Sequence, residues 1–268
     1  MIYLIINMDK NIKYDISFCI TCMNRFYQIK DTLKKNLQDN INSKYNIEFV
    51  LVDFGSKDGL KNYIIKNFIN EIKSGYLKYF YTEELLYFHA PIAKNTSHKL
   101  ANGKYLVNLD CDNYTGDLGG DFIIDFFKKN GDNIIIHQTS NIFGRGNMGR
   151  ISMTRNNFFK IGGYNQSLKP MGHQDGDLIN RAKLNKIKYY NLKDEKYNKA
   201  ILNDKVESLK NCYGNYNYNN LMKMNMIYSD FSLKSGELIA NNFFKNIQIG
   251  VLINIFKFNN NLNFIKIC

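Results

Sequence analysis

The chain of 268 residues has no tryptophan, only two prolines, and no Pro- or Ser-rich stretch that could serve as a linker. Nothing in it marks off separate domains, and no internal repeat implies a solenoid or a propeller. Its five cysteines, Cys19, Cys22, Cys111, Cys212 and Cys268, are odd in number and scattered. That excludes a secreted disulfide framework and points to a reducing, cytoplasmic setting. Cys19 and Cys22 form a C-x-x-C, but no second pair completes a four-ligand zinc site, and Cys19 falls in an apolar strand. No apolar run approaches the ~20 residues that cross a bilayer. Residues 1–8 lack the basic leader and cleavage site of a signal peptide. The most apolar late stretch, residues 247–256, is likewise too short. Together with Phe243, Phe244 and the flanking Lys245 and Lys257, it could form a peripheral contact at a membrane surface, a dimer contact, or an element completing the core.

What is present is a basic globular composition: 44% hydrophobic residues and a net charge of +12. Such a charge favours an anionic partner, whether a nucleotide diphosphate, a polyanionic acceptor, a membrane surface or nucleic acid. The lysines are dispersed rather than clustered, and no nucleic-acid-binding motif is recognisable, so nucleic acid is not the expected partner.

The N-terminal half alternates two periodicities. Residues 16–20 read as a buried strand, followed by Ile29, Leu33 and Leu37 on a helical face. Residues 49–52 form a second strand that stops at Asp53, and Leu60, Ile64, Phe68 and Ile72 mark one further helix. Leu77, Tyr79 and Tyr81 alternate as strand residues do. Pro91 suits the first turn of a helix expected to close at Gly103. Residues 105–109 are the next strand. This rhythm predicts an α/β fold with a mostly parallel sheet and flanking helices, in which ligands bind beyond the carboxyl ends of the strands. Three strands end in polar loops: at Thr21 to Arg25, at Asp53 to Gly59, and at Asp110 to Asn113.

Each loop has a structural and a chemical reading. Asp110 and Asp112, one residue apart after an apolar strand, project to one side if the chain there is extended. They would then suit Mg²⁺ or Mn²⁺, although strand-end aspartates also cap turns. Asp53, followed by Gly55 and Ser56, has the residues of a tight βα connection, and its carboxylate could equally meet a base or a ribose. His173-Gln174-Asp175-Gly176-Asp177 opens a helical pattern, where one acid is explained as a cap and two are not. Gly162 and Gly163 just before it form a tight loop that something is expected to approach closely.

These pieces resemble the nucleotide-sugar glycosyltransferases of the GT-A fold, family 2 in general and the galactosyltransferase C-terminal type in particular, over about residues 14–183. The family's V-D-x-G-S-x-D-G is matched by residues 52–59, its A-R-N by Ala93-Lys94-Asn95, and its A-x-G-x-Y-x-x-x-L-D-x-D by residues 101–112. Its acceptor loop is matched by residues 161–164 and its E-D-x-D-L by residues 174–178, with a weaker echo at 236–241. The resemblance implies a catalytic domain over residues 1–205, with a nucleotide-sugar half at about 14–115 and an acceptor half at about 116–205, and a C-terminal extension over 206–268. It implies that Thr21, Asn24, Arg25, Asp53, Gly55, Ser56, Lys94, Asn95 and Asp110 face the nucleotide. Asp112, with Asp110, would hold Mn²⁺ or Mg²⁺. Gly162, Gly163, His173, Gln174 and Asp177 would face the acceptor, and Asp175 would be the catalytic base.

The implied reaction is transfer of a sugar, from a UDP-sugar, to a hydroxyl of a glycan, lipid-linked or protein acceptor with inversion of configuration. The alternative is a relic of the fold that binds nucleotide or glycan without turnover. Three departures bear on this choice. Gln174 replaces the family's Glu, and no tryptophan precedes the acidic segment to stack an acceptor sugar. The family's metal-site histidine has no counterpart after His173, for which Asp204 is the substitute.

Overall fold

The computed structural model describes residues 12–140, 148–214, 217–241, 255–259 and 261–267. β1 (Tyr14–Cys22) and β2 (Ile47–Asp53) are buried along almost their whole length, as near-continuous apolar strands covered on both faces should be. β1 lies parallel to β2 on one side and to β4 (Gly103–Asn108) on the other, and β2 is parallel to β3 (Leu77–Tyr81). The crossovers are α1 (Phe26–Asn40), α2 (Leu60–Asn67) with α3 (Ile69–Ser74), and α4 (Ala90–Leu100).

After β4 come α5 (Gly119–Asn130), β5 (Ile134–Gln138), β6 (Ile151–Thr154), α6 (Arg155–Lys160), α7 (Gln174–Leu184) and β7 (Lys188–Leu192). α8 (Lys205–Leu209), α9 (Tyr218–Lys234), β8 (Phe256–Phe258) and β9 (Phe264–Lys266) complete the described chain. The nine strands form one sheet in the order β7-β5-β6-β4-β1-β2-β3-β8-β9. β6 runs antiparallel to both β4 and β5, and β8 is antiparallel to β3 and β9. The core of the sheet is parallel and helices flank it: the GT-A architecture.

Two buried clusters cover the two faces. One joins Ile29, Leu33 and Leu37 of α1 to Leu60, Ile64, Ile123 and Phe127; the other joins Ala93 to Phe158, Leu178 and Ala182. Cys22 belongs to the first and Cys19 to the second, because an odd spacing in a strand sends side chains to opposite faces. Their C-x-x-C therefore cannot converge on one metal, and both thiols are free and buried.

Two local expectations change. The helix read across residues 60–72 breaks at Phe68, whose φ of −127° is not helical. The four-residue repeat survives the break because Phe68 and Ile72 still enter the same cluster. α4 ends at Leu100 with an extended Ala101, so Gly103 is no cap. Gly103 instead opens β4, where a Cβ would run into Ser17 of β1. Residues 256–258 and 264–266 of the tail form two strands at the sheet edge beyond β3. Of the apolar stretch 243–256, residues 243–254 lie outside the described residues. No helix among the described residues is long and apolar enough to cross a membrane.

Candidate functional site

The parallel register places Cys22 opposite Asp53, Asp53 opposite Tyr81, and Cys19 opposite Asn108. The carboxyl ends of β1, β2 and β4 therefore lie side by side, and the three polar loops share one edge of the sheet, as the strand rhythm implied.

The loop after β2 is held by its own aspartate. Asp53 is fully buried, and one oxygen accepts from the Ser56 amide (2.8 Å) while the other accepts from the Tyr79 hydroxyl (2.7 Å). Burial raises its pKa against those two hydrogen bonds. Gly55, at φ +68°, makes the turn. Ser56 Oγ accepts from the Asn24 amide (2.9 Å), and Asn24 Oδ1 accepts from the Lys57 amide (2.8 Å), so the β1 and β2 loops are stitched together. Thr21, 8% exposed, lies in β1 opposite Val52. Arg25 turns inward, donating to Gln28 (3.1 Å), Asn203 (2.8 Å) and Ser208 (2.6 Å). Residues 203–211, of which only Asp204 stands out in the sequence, thus cover this corner, with Asn24 also donating to Asn211 (2.9 Å). Asp204 itself is exposed and caps α8 by accepting from the Val206 amide.

Asp110 and Asp112 do approach one another, but through a turn rather than an extended strand, since the Asn113 amide donates to the Asp110 carbonyl (2.9 Å). Asp112 is 3% exposed; burial and the Asp110 charge push its pKa up to about 6, with Arg25 opposing. Arg150, which no sequence motif marks, lies close by. It is fully buried, donates to Asn113 (3.0 Å) and the Lys199 carbonyl (3.0 Å), and keeps Nε without a partner. Burial lowers its pKa to about 10 while Asp110 and Asp112 pull the other way, so it offsets their charge. Gly149 is also unmarked in sequence; a Cβ there would strike the Asp110 carboxylate. A hard divalent cation would relieve the repulsion between the two carboxylates. Mg²⁺ and Mn²⁺ need only one or two carboxylates when phosphate oxygens complete the shell, so the donor set fits. Among the described residues no cluster of three or more His, Cys, Asp or Glu side chains exists to hold a metal without such help.

Lys94 joins this turn to the acidic helix start. Its buried Nζ donates to Asp175 Oδ1 (2.8 Å) and lies 3.4 Å from Asp110 Oδ1. Burial alone would lower its pKa, but Asp110 and Asp175 outweigh that and raise it, so Lys94 stays charged. The second oxygen of Asp175 accepts from the Gln174 amide (3.2 Å), a bond that a glutamate could not donate. Asp175 is thus oriented from both sides, yet its side chain keeps 20% exposure. Behind Lys94, His98 stacks on Phe158 (4.5 Å) and bonds the Lys94 carbonyl (2.7 Å). Burial holds the His98 pKa down to about 3. The unfolded chain therefore binds a proton that the native one refuses between that value and ~6.5, and stability falls as pH drops through this window. At pH 5 His98 alone is expected to cost about 2 kcal/mol. Denaturant titrations of wild type and His98→Gln from pH 7.5 to 5 check this, with a shallower slope expected for the variant.

Other residues expected at the ligands face inward. Asn95 exchanges two hydrogen bonds with the Tyr164 backbone (2.7 and 2.8 Å), so it clamps a loop. What closely approaches Gly162 is the chain itself. Its φ is +79°, the Ala240 backbone fills the space of its missing Cβ, and Asn241 donates to its carbonyl (2.7 Å). This is the segment of the weaker echo at 236–241. Gly163 is pinned by Arg181 Nη2 on its carbonyl (2.7 Å). Asp177, 1% exposed, takes two bonds from Arg181 (2.8 and 2.7 Å) and one from Ser229 (2.8 Å). With both oxygens engaged in the interior, Asp177 locks α7 to the glycine loop and to α9. His173 adopts φ +62° before α7 and, like Gln174, retains a buried side-chain atom without a partner, Nε2 in one and Oε1 in the other.

Three kinds of comparison bear on this geometry. No curated protein matches the chain at a significant level. Among solved structures, S. aureus TarS 1-349 in complex with UDP-GlcNAc aligns with a TM-score of 0.60 at 16% identity, over 80% of this chain and 66% of that one. With UDP alone, the same protein aligns over only 59% of its length, so this chain spans less than two thirds of that relative. A mannosyltransferase from Pyrobaculum calidifontis, in complex with GDP-Man and Mn²⁺, aligns with a TM-score of 0.55 at 12% identity, over 84% of this chain and 71% of that one. Glucosyl-3-phosphoglycerate synthase from Mycobacterium tuberculosis, with Mn²⁺, UDP and glucosyl-3-phosphoglycerate, gives the same score and identity over 84% and 83%. At these identities the likeness is one of fold. The sequence model of glycosyl transferase family 2 matches residues 17–188, which includes all three strand-end loops, Lys94 and the Asp175 helix start, and the chain belongs to that family.

Proposed function

We propose that this protein transfers a sugar from a nucleotide diphosphate donor, a UDP-sugar, to an acceptor hydroxyl with inversion, using Mn²⁺ or Mg²⁺. The observation that carries the reading is Lys94. One ammonium touches both Asp175 and Asp110, so the proposed base, which keeps 20% side-chain exposure, and the strand-end carboxylates lie on either side of one cation.

The β1 and β2 loops would form the nucleotide side, with Thr21, Asn24, Arg25, Asp53, Gly55 and Ser56 shaping it. Because Asp53 already spends its oxygens on the loop, its part is to hold the loop's shape. Asp110 and Asp112 would hold the cation. When bound, it supplies Lewis-acid stabilisation of the departing diphosphate, worth several kcal/mol. Asp175 receives the acceptor proton as the acceptor oxygen bonds the anomeric carbon and the bond to the diphosphate breaks. Lys94 and Gln174 keep that carboxylate aimed. A single base acting opposite the leaving group inverts the centre, by the logic of inverting glycoside hydrolysis. The metal carried by the mannosyltransferase and synthase structures and the UDP held by TarS support the choice of cofactor and donor.

A panel of UDP- and GDP-sugars with Mn²⁺ or Mg²⁺, read by release of the nucleoside diphosphate, tests the reading. Release is expected with a UDP-sugar and a divalent cation, and loss of release in excess EDTA. Full activity in EDTA would remove the metal from the scheme. Nucleotide binding without release under any condition would leave a binding module.

A further inference from the structure

Beside the donor site lies a pocket of about 430 Å³ that neither the motifs nor the reaction scheme uses. Tyr87, His89, Gln166, Lys169 and Tyr213 are among the residues that line it, and its volume falls within the ~300–1,000 Å³ of small-molecule sites. Two of the lining side chains, His89 and Gln166, each carry a buried polar atom with no hydrogen-bond partner, Nδ1 and Nε2. Buried polar atoms are nearly always satisfied, so two orphans on one pocket call for a ligand or ordered water that bonds them. Tyr87 and Tyr213 meet edge to face at 5.0 Å, yet remain 47% and 65% exposed. Aromatic rings left open to solvent beside unsatisfied polar groups suit a ligand with an apolar face and a polar rim. A pyranose is such a ligand: its axial C–H face packs on an aromatic ring while its hydroxyls both donate and accept.

The pocket adjoins the segments that carry Lys94 and Asp175. His89 immediately precedes α4, and Lys94, which bonds Asp175, follows five residues later, ~7.5 Å along the helix axis. The Ala90 amide bonds the Pro170 carbonyl (2.8 Å), tying this wall to the segment that leads to Asp175. On the other side Phe88 packs edge-on against Phe54 of the Asp53 loop (6.3 Å). The pocket therefore lies between the proposed nucleotide loop and the proposed base. Burial, opposed by hydrogen bonds to the Leu168 backbone and to its own, lowers the His89 pKa to about 4. A neutral imidazole does not repel Lys169 and offers Nδ1 to a hydroxyl.

We infer that this pocket is a carbohydrate-binding acceptor subsite, in which Tyr87 and Tyr213 stack a sugar ring and His89 and Gln166 bond its hydroxyls. Placing it as an acceptor subsite rests on the transferase reading; its capacity to bind sugar does not. The rings supply the stacking surface that the tryptophan-free acidic segment lacks.

Binding is measured on the full chain without donor, by saturation-transfer NMR and titration with glucose, galactose, mannose, N-acetylglucosamine and their disaccharides. 3-Phosphoglycerate and glycerol phosphate serve as non-sugar probes. At least one sugar is expected to bind wild type, and Tyr87→Ala/Tyr213→Ala and Gln166→Ala are each expected to weaken it about tenfold or more. UDP binding and melting temperature should be unchanged in both variants, which excludes misfolding as the cause. Sugar binding that survives both variants overturns the inference. So does a wild type that binds no sugar, or only the non-sugar probes. If the sugar binds through these residues but no nucleotide sugar is ever turned over, the transferase reading fails and the carbohydrate site stands.

Discussion

Asp175→Asn is expected to lower turnover by about 10²-fold or more while leaving donor affinity unchanged. The substitution keeps the size and helix-start geometry of the side chain and removes only its capacity to take a proton. Its partners sharpen the expectation. In the native protein one oxygen accepts from Lys94 and the other from Gln174, and an amide retains one acceptor oxygen for these two donors. The measurement is steady-state transfer together with calorimetric titration of UDP in the presence of Mn²⁺. A variant that turns over at the native rate would remove Asp175 from the chemistry. One that loses UDP affinity in proportion to activity would make it a binding residue.

Asp177→Ala is expected to act on stability instead, by about 3–5 kcal/mol, the cost of leaving a buried charge unpaired. Arg181 is 1% exposed and spends two of its donors on Asp177. Two more reach the Ile161 and Gly163 carbonyls (2.7 Å each). Without the carboxylate, a guanidinium stays in the interior with only neutral partners, and Ser229 loses its acceptor. Urea unfolding of Asp177→Ala, beside Asp177→Leu/Arg181→Met in which both charges are gone, separates the origins of the loss. The double variant should recover much of the stability, because a buried ion pair is often replaceable by apolar side chains. A fully stable Asp177→Ala with a raised acceptor KM would return this residue to the acceptor surface.

The contrast between these two acids shows how far the sequence reaches. They are two residues apart, both in the first turn of α7, and residue type and spacing alone do not tell which of them faces the core. Two positions on a helix are 200° apart around the axis at 3.6 residues per turn, so one can face the cleft while the other faces the core. Which does which depends on where Arg181 and Ser229 lie, and Ser229 comes from an element 52 residues on. Asn95 and Gly162 are alike in this respect: polar or glycine positions inside motif blocks, whose partners are the Tyr164 backbone and the Ala240 backbone.

The sequence by itself determined the alternation of parallel strands and helices, the three strand ends that carry polar loops, and the placement of Asp53, Asp110, Asp112 and Asp175 at those ends or at a helix start. Those features follow from local rules: apolar runs make buried strands, four-residue repeats make helical faces, and a carboxylate, glycine or serine after a strand makes a turn. Only the tertiary structure decided that Lys94 links Asp175 to Asp110, that Arg150 lies beside the Asp110–Asp112 turn, and that residues 203–211 close over Arg25. It also decided that the tail adds β8 and β9 to the sheet edge. Each of these joins segments tens of residues apart or more, and a buried charge or an orphaned donor finds its partner by proximity in the folded chain, which no spacing along the sequence encodes.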